Sequence, residues 1–237
     1  ASLSVQLEKS SRKPYLSPTP EAVESIVRYT MPKNFVSNQD ESARLFKSSF
    51  LELFTHVHWS VPLIVYVPVV TYFLYKGIAD PMVTGGSIVG LFVFGLLVWT
   101  LTEYLLHRFV FDYEPKTDFG KRIHFLAHGV HHDYPNDSLR LVMPPLLSLP
   151  LAALFYGLFY ILLGETFLPP FFAGFIVGYL FYDLIHYATH HAPMKATPIG
   201  LWVKQHHMRH HYQTNDLYYG VSTPLWDYVF GTMWPKR

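Results

Sequence analysis

Apolar and polar positions in this chain are gathered into long blocks. Four stretches, residues 57–75, 81–102, 141–164 and 166–182, contain no Lys, Arg, Asp or Glu. Each approaches the roughly 20 apolar residues a helix needs to cross a hydrocarbon core, the last only if it continues past Asp183. Four such runs leave too little amphipathic sequence to cover them as buried helices of a soluble protein. Pro62, Pro68, Pro81, Pro144, Pro145, Pro150, Pro169 and Pro170 sit at or within the runs, where they start or kink helices that membrane proteins tolerate. Short connections at 77–86 and 165–170 pair the runs. The pattern predicts an all-α integral membrane protein with four transmembrane helices arranged as two hairpins.

Charge fixes an expected orientation. Of eighteen Lys and Arg residues, only Lys76 lies beside the two connections. The other seventeen lie in the N-terminal region, in 108–140 and after Met194, so the positive-inside rule assigns those regions to the cytoplasmic side. Residues 1–48 are expected to form an N-terminal cytoplasmic segment and residues 49–237 the membrane-bound domain. A composition of 50% hydrophobic and 15% charged residues fits spans joined to a sizeable aqueous cap. The net charge of +1 gives no footprint for nucleic acid. The absence of cysteine removes disulfides, thiolate ligands and thiol catalysis.

Histidine is the unusual quantity, with 14 copies. His56 and His58 open the first apolar run as interfacial side chains. The rest form groups: His107; His124, His128, His131 and His132; His186, His190 and His191; His206, His207, His210 and His211. If HFLAHGVHH is one α-helix, its four histidines share an arc of about 100°. His186 and His190 share a face in HYATHH, as do His207, His210 and His211 in HHMRHH. Imidazole suits zinc, copper, iron and nickel, and one ion takes roughly four to six ligands. Nine or ten convergent histidines therefore predict two ions, held by a helical cap beside the membrane. His191 and His206 lie off the shared arcs and are expected to support or pack. Glu103, one turn before His107, and Asp183, three residues before His186, are placed to accept hydrogen bonds from metal-bound imidazoles.

EYLLHRFVF, HFLAHGVHH, DLIHYATHH and HHMRHH, in that order around two apolar spans, resemble the histidine boxes of the fatty acid hydroxylase superfamily of membrane di-iron enzymes. The runs DSLRLVMPP and GVSTPLWDYVFGT resemble its fatty acid 2-hydroxylase branch, which modifies sphingolipid acyl chains. The likeness extends from about Ser49 to the C-terminus. It implies metal ligation by His107, His128, His131, His132, His186, His190, His207, His210 and His211, with His124 matching a family histidine that is less clearly a ligand. Where the family has a histidine five residues after the first, this chain has Asp112. A carboxylate there can ligate iron or manganese in its place.

The resemblance implies iron- and O2-dependent 2-hydroxylation of fatty acyl chains, free or in ceramide, by two Fe ions, with zinc able to replace iron in purified protein. It also implies an external electron donor of cytochrome b5 or ferredoxin type, since no His-Pro-Gly-Gly haem segment is present. The membrane is the endoplasmic reticulum in a eukaryote or the inner membrane in a bacterium. Attack on an unactivated C–H bond needs a cofactor, and C2 of an acyl chain lies at the depth where the histidines lie. The Tyr, Phe and Trp residues between 179 and 226 are candidates to wall an acyl groove. A sterol or carotenoid oxidase of the same superfamily would share the metal site. A metal transporter would need ionisable residues at mid-membrane, which these spans almost entirely lack.

Overall fold

The computed structural model describes residues 36–214 and 216–234. The N-terminal segment predicted over 1–48 lies mostly outside them; its described part, 36–48, is hydrogen bonded to 133–140, for example Ser42 Oγ to Asp137 Oδ1 at 2.7 Å and Ser138 N to Asp40 Oδ1 at 2.9 Å. The described residues hold helices and no strand: α1 Ser49–Leu53, α2 Val61–Ala79, α3 Gly85–Leu106, α4 Asp118–His124, α5 Val130–Asp133, α6 Pro145–His191, α7 Pro198–Tyr212 and α8 Leu225–Phe230. Two short π-helical turns, His107–Phe111 and Phe125–Gly129, run on from α3 and α4.

Three helices, α2, α3 with its π turn, and α6, are long and apolar enough to cross a membrane. Their outward faces are apolar too: Ile64, Ile78, Val89 and Ile161 are exposed, as suits a surface solvated by lipid. The third and fourth predicted runs form one element, α6, whose 47 residues break at Gly164, with φ 69° and ψ 176°. Only glycine takes that conformation without strain. The two halves fold back on each other, so that Phe155 meets Phe175 at 5.2 Å and Phe159 meets Phe171 at 4.8 Å between ring centroids. The second half is the buried axis of the fold, with Leu168, Phe171, Phe172, Phe175, Ile176 and Tyr179 in the core beside Tyr66 of α2 and Trp99 of α3.

Helix α2 starts at Val61, later than the apolar run. Pro62 suits a first turn, and Val57 N is committed to Leu139 O at 2.7 Å. Helix α3 starts after Thr84, whose hydroxyl accepts from Ser87 N at 3.2 Å. Close approach of α3 to α6 depends on missing side chains. A Cβ on Gly174 would lie 2.0 Å from Phe92 O, and one on Gly95 would lie 2.1 Å from Phe171 O. Gly174 and Gly178 form a G-x-x-x-G pair in the sequence, the spacing that lets membrane helices touch through their backbones. Gly174→Val should therefore separate the helices and destabilise the protein by about 3 kcal/mol or more. Gly90→Ala, where a Cβ meets nothing within 4 Å, should be nearly neutral; thermal unfolding of both variants in detergent checks this.

Candidate metal centre

The histidine boxes converge at one end of the helices as two groups of five ligands. Each group could hold a metal ion, with its donor atoms within 4.8 Å of one another. The first is His131, His186, His190, His207 and His211; the second is His107, Asp112, His128, His132 and His210. All ten predicted metal residues are thus brought together, but not along the faces expected. Of the box at 124–132, His131 joins the first group while His128 and His132 join the second. Of HHMRHH, His207 and His211, one turn apart, join the first, and His210 joins the second.

His124 joins neither. The stretch HFLAHGVHH is not one α-helix: α4 ends at His124, and a π turn at Phe125–Gly129 separates it from α5. The other π turn brings a predicted ligand in. In an α-helix a residue five positions on is rotated by about 140°, which would point Asp112 away from His107. Here Asp112 N donates to His107 O at 3.0 Å, and Asp112 Oδ2 comes 3.6 Å from His107 Nε2 and 3.4 Å from His210 Nε2. Its Oδ1 lies 3.3 Å from His128 Nε2 and 3.8 Å from His132 Nε2. The carboxylate where the family has histidine therefore sits among the four imidazoles of its group. Burial opposes its ionisation, but His107, His210 and a hydrogen bond from His128 hold its carboxyl well below the usual range.

The donor geometry fits metal ions. His186, His131, His211, His207 and His190 form a chain in which successive Nε2 atoms are 2.9–3.0 Å apart. A neutral imidazole has one N–H, so one such proton cannot serve two neighbours in turn along this chain. The arrangement is that of lone pairs sharing a cation. In the second group, His107 Nδ1 donates to Tyr219 O at 2.6 Å and His210 Nδ1 to Leu217 O at 2.9 Å. Those carbonyls can only accept, so both Nε2 atoms carry lone pairs, and neither has a hydrogen-bond partner among the described residues. Burial holds His131, His132, His207, His210 and His211 below their usual pKa, in the neutral form that ligates. Imidazole with carboxylate suits iron.

Glu103 and Asp183 do not bond the imidazoles directly. Glu103 Oε1 accepts Val221 N at 2.7 Å and Ser222 N at 2.8 Å, and its Oε2 accepts the Ser222 hydroxyl. Asp183 Oδ1 accepts Met143 N at 3.4 Å. His206 bonds Asp227 Oδ2 at 3.1 Å, and His191 stacks on Tyr187; both lie outside the two groups. Asp227 escaped the sequence reading although GVSTPLWDYVFGT contains it. It accepts Tyr219 N at 2.9 Å, Gly220 N at 2.8 Å and the Thr232 hydroxyl at 2.7 Å. The loop whose carbonyl orients His107 is thus held between two buried carboxylates, Glu103 and Asp227.

Beside the centre lies a cavity of about 480 Å3. Its lining takes in His128, His131 and His186, so it borders both groups. The aromatic residues between 179 and 226 contribute only Tyr182 to its wall. The rest is mainly aliphatic, from α1, from 141–147 and from Ile123 and Leu126, because Tyr179 is committed to the core and Trp226 to a hydrogen bond with Thr100.

Replacing Glu103 by leucine would leave two buried backbone N–H groups unpaired and should cost about 3 kcal/mol or more. Loosening the carbonyl that orients His107 should also weaken metal binding by at least about tenfold. Thermal unfolding and metal titration of Glu103→Leu test both effects.

Residues 92–232 match the model of the fatty acid hydroxylase family. A dihydroceramide fatty acyl 2-hydroxylase of Arabidopsis thaliana is 40% identical over 198 residues, covering 81% of each chain. The ceramide very long chain fatty acid hydroxylase of Saccharomyces cerevisiae is 42% identical over 194 residues, which are 81% of this chain and 49% of the yeast protein. A solved structure of full-length scs7p, in which only the hydroxylase domain is visible, superposes with a TM-score of 0.73 at 40% identity, covering 79% of this chain and 70% of that one. With its family motifs drawn into two buried ligand groups at the end of apolar helices, this chain belongs to the fatty acid hydroxylase family.

Proposed function

We propose that this chain is an iron- and dioxygen-dependent monooxygenase that hydroxylates C2 of fatty acyl chains, in ceramide or a related sphingolipid. The observation that carries the reading is the contact between the two ligand groups and one largely aliphatic cavity. Relatives named as fatty acid 2-hydroxylases and dihydroceramide fatty acyl 2-hydroxylases, at 35–40% identity, support the same reaction. His131, His186, His190, His207 and His211 would hold one iron ion. His107, Asp112, His128, His132 and His210 would hold the other. Bound iron would supply, with dioxygen, the oxidising power that no pair of side chains has.

The remaining work falls to this chain's own residues. Aliphatic lining keeps water from the cavity and holds an extended chain by contact area alone. The carbonyls of Tyr219 and Leu217 fix the tautomers of His107 and His210, and the Glu103 and Asp227 carboxylates keep the Tyr219 carbonyl in place. The domain is assigned to residues 49–237. Its membrane part is read as four spans in two hairpins, supported by the reversal at Gly164 and by Lys76 being the only cation beside the predicted connections. A cytoplasmic position for the histidine cap is supported by the same charge distribution. There a separate cytochrome b5 or ferredoxin-type protein would deliver electrons, with exposed Lys116, Lys121 and Arg122 on the cap available for docking.

Cells expressing the chain should gain 2-hydroxy acyl lipids that depend on iron supply, read by lipid mass spectrometry. His131→Ala and His210→Ala should each lower that product at least about 100-fold, and purified protein should lose one of two bound metals. Unchanged acyl lipids alongside oxidised sterols or carotenoids would redirect the assignment to another reaction of the superfamily.

A further inference from the structure

The cavity beside the metal groups has a continuation along the same helix pair. A second void of about 20 Å3 lies between the spans and presents only apolar surface. Both spaces follow one face of each half of α6. On the second half, His186, Asp183 and Tyr182 border the cavity, and Tyr179, Ile176 and Phe175 border the void, at the three- and four-residue steps of a single helical stripe. On the first half, Pro144 and Leu147 border the cavity, and Leu151, Ala152 and Phe155 the void. His186 and Phe175 are eleven residues apart, so the stripe runs about 16 Å from a metal ligand into the bundle. Met143 lines both spaces. Its neighbours at this boundary are locked. The Tyr179 ring meets those of Tyr66 and Trp99 at 5.1 and 5.3 Å, Tyr182 stacks on His186 at 5.7 Å, and the Ser148 hydroxyl accepts from Tyr66 at 2.9 Å. Met143 is held by its backbone, whose N–H reaches Asp183 Oδ1 at 3.4 Å and which leads straight into Pro144 and Pro145. Its side chain is an unbranched thioether with three rotatable bonds, able to adapt to what lies beside it.

From this we infer that the acyl chain runs inward from the metal groups with its methyl end toward Met143, and that Met143 is the residue that limits chain length. The inference rests on the cavity being the acyl site proposed above. Polarity decides the direction. The inner end is closed by a thioether and backed by an apolar void, where a head group would lose its hydrogen bonds to water. The other end opens past Leu51, Ile123, Leu146 and Leu147, which line the cavity and are exposed, so the head group belongs there and the hydrocarbon points inward. Enclosure then makes length matter. A tail that left through the mouth would pass from one apolar surround to another, with little change per methylene. A tail that ends against Met143 fills the cavity, and a longer one continues only by turning the thioether aside and entering the void along the α6 stripe. In a closed apolar pocket one methylene too many or too few changes preference by about tenfold or more. Met143 is thereby a specificity-determining residue that touches the far end of the substrate, not the carbon attacked.

The test uses the purified, metal-loaded full chain in detergent with N-palmitoyl and N-lignoceroyl dihydrosphingosine, each carrying 13C in the terminal methyl of its acyl chain. In wild-type protein, isotope-filtered nuclear Overhauser contacts should run from the palmitoyl methyl to Met143. Contacts to Leu146 or Leu147 instead would overturn the inward direction and leave the acyl site standing. Contacts to no cavity residue would overturn both. Met143→Ala joins the two spaces, and it should shift the ratio of lignoceroyl to palmitoyl affinity, corrected for partition into micelles, about tenfold or more toward the longer chain. The lignoceroyl methyl should then touch Phe175 or Trp99. Met143→Phe puts a stiffer side chain at the boundary and should shift the ratio the other way. A ratio unchanged in both folded variants overturns the assignment to Met143. Should neither variant fold, the wild-type methyl contacts decide. In cells, the chain lengths of 2-hydroxy products should follow the same order, read by lipid mass spectrometry. Methyl contacts as expected without any 2-hydroxy product would count against the proposed reaction only. Product whose chain lengths ignore both substitutions would count against Met143 only.

Discussion

Imidazole lone pairs brought to 2.9–3.0 Å of one another inside a buried site repel unless a cation lies among them. Nine imidazoles and one carboxylate gathered into two groups, on residues from the π turn after α3 and the position following it, from α5 and the turn before it, and from α6 and α7, would let metal ions join otherwise separate helices. A fold whose helices are covered by lipid-facing side chains has little hydrophobic force to draw them together inside the bilayer. Close backbone packing through Gly95 and Gly174 takes over that task, and ligation at one end of the helices would add to it.

Imidazoles serve such a centre only if their orientation is fixed, and much of the polar architecture has that effect. Carbonyls of Tyr219 and Leu217 select the tautomers of His107 and His210. The loop that carries Tyr219 is held by Glu103 from α3 and by Asp227 from α8, with Gly220 leaving room because a Cβ there would lie 2.1 Å from Thr223 O. A π turn after α3 sets the angular register that brings Asp112 in beside His107, and a second interrupts the helix that carries His128, His131 and His132. These devices cost local backbone regularity, and they cluster where the chemistry is.

The cavity is aliphatic for most of its wall, which suits an extended hydrocarbon that offers only contact area. Polarity enters at few points, and the Arg140, Glu52 and Asp137 cluster at its edge also ties 36–47 and α1 to the 137–144 segment. A branch motif recognisable as a string of letters, DSLRLVMPP, is thus a wall, a latch and a polar contact in one stretch of chain.

Apolar block length, histidine spacing and the family motifs in the sequence pointed to a helical membrane protein, to ten candidate metal residues that the fold brings together, and to the family. Those features are local: a span is defined by its own run of side chains, and His-x-x-His-His brings its ligands together on any helical backbone. What depended on tertiary structure was the division of two of the boxes, HFLAHGVHH and HHMRHH, between two groups, since side chains one residue apart, such as His131 and His132 or His210 and His211, face neighbours on different helices. The π turns were equally hidden, because the sequences HRFVF and FLAHG carry no signal that separates them from an α-helical turn. Glu103 and Asp183 were legible as buried carboxylates, but their partners, backbone N–H groups 118 and 40 residues away in sequence, were not. Orientation of a buried polar group is decided by whichever unsatisfied donor the fold brings to it, and the chain order does not encode which one that will be.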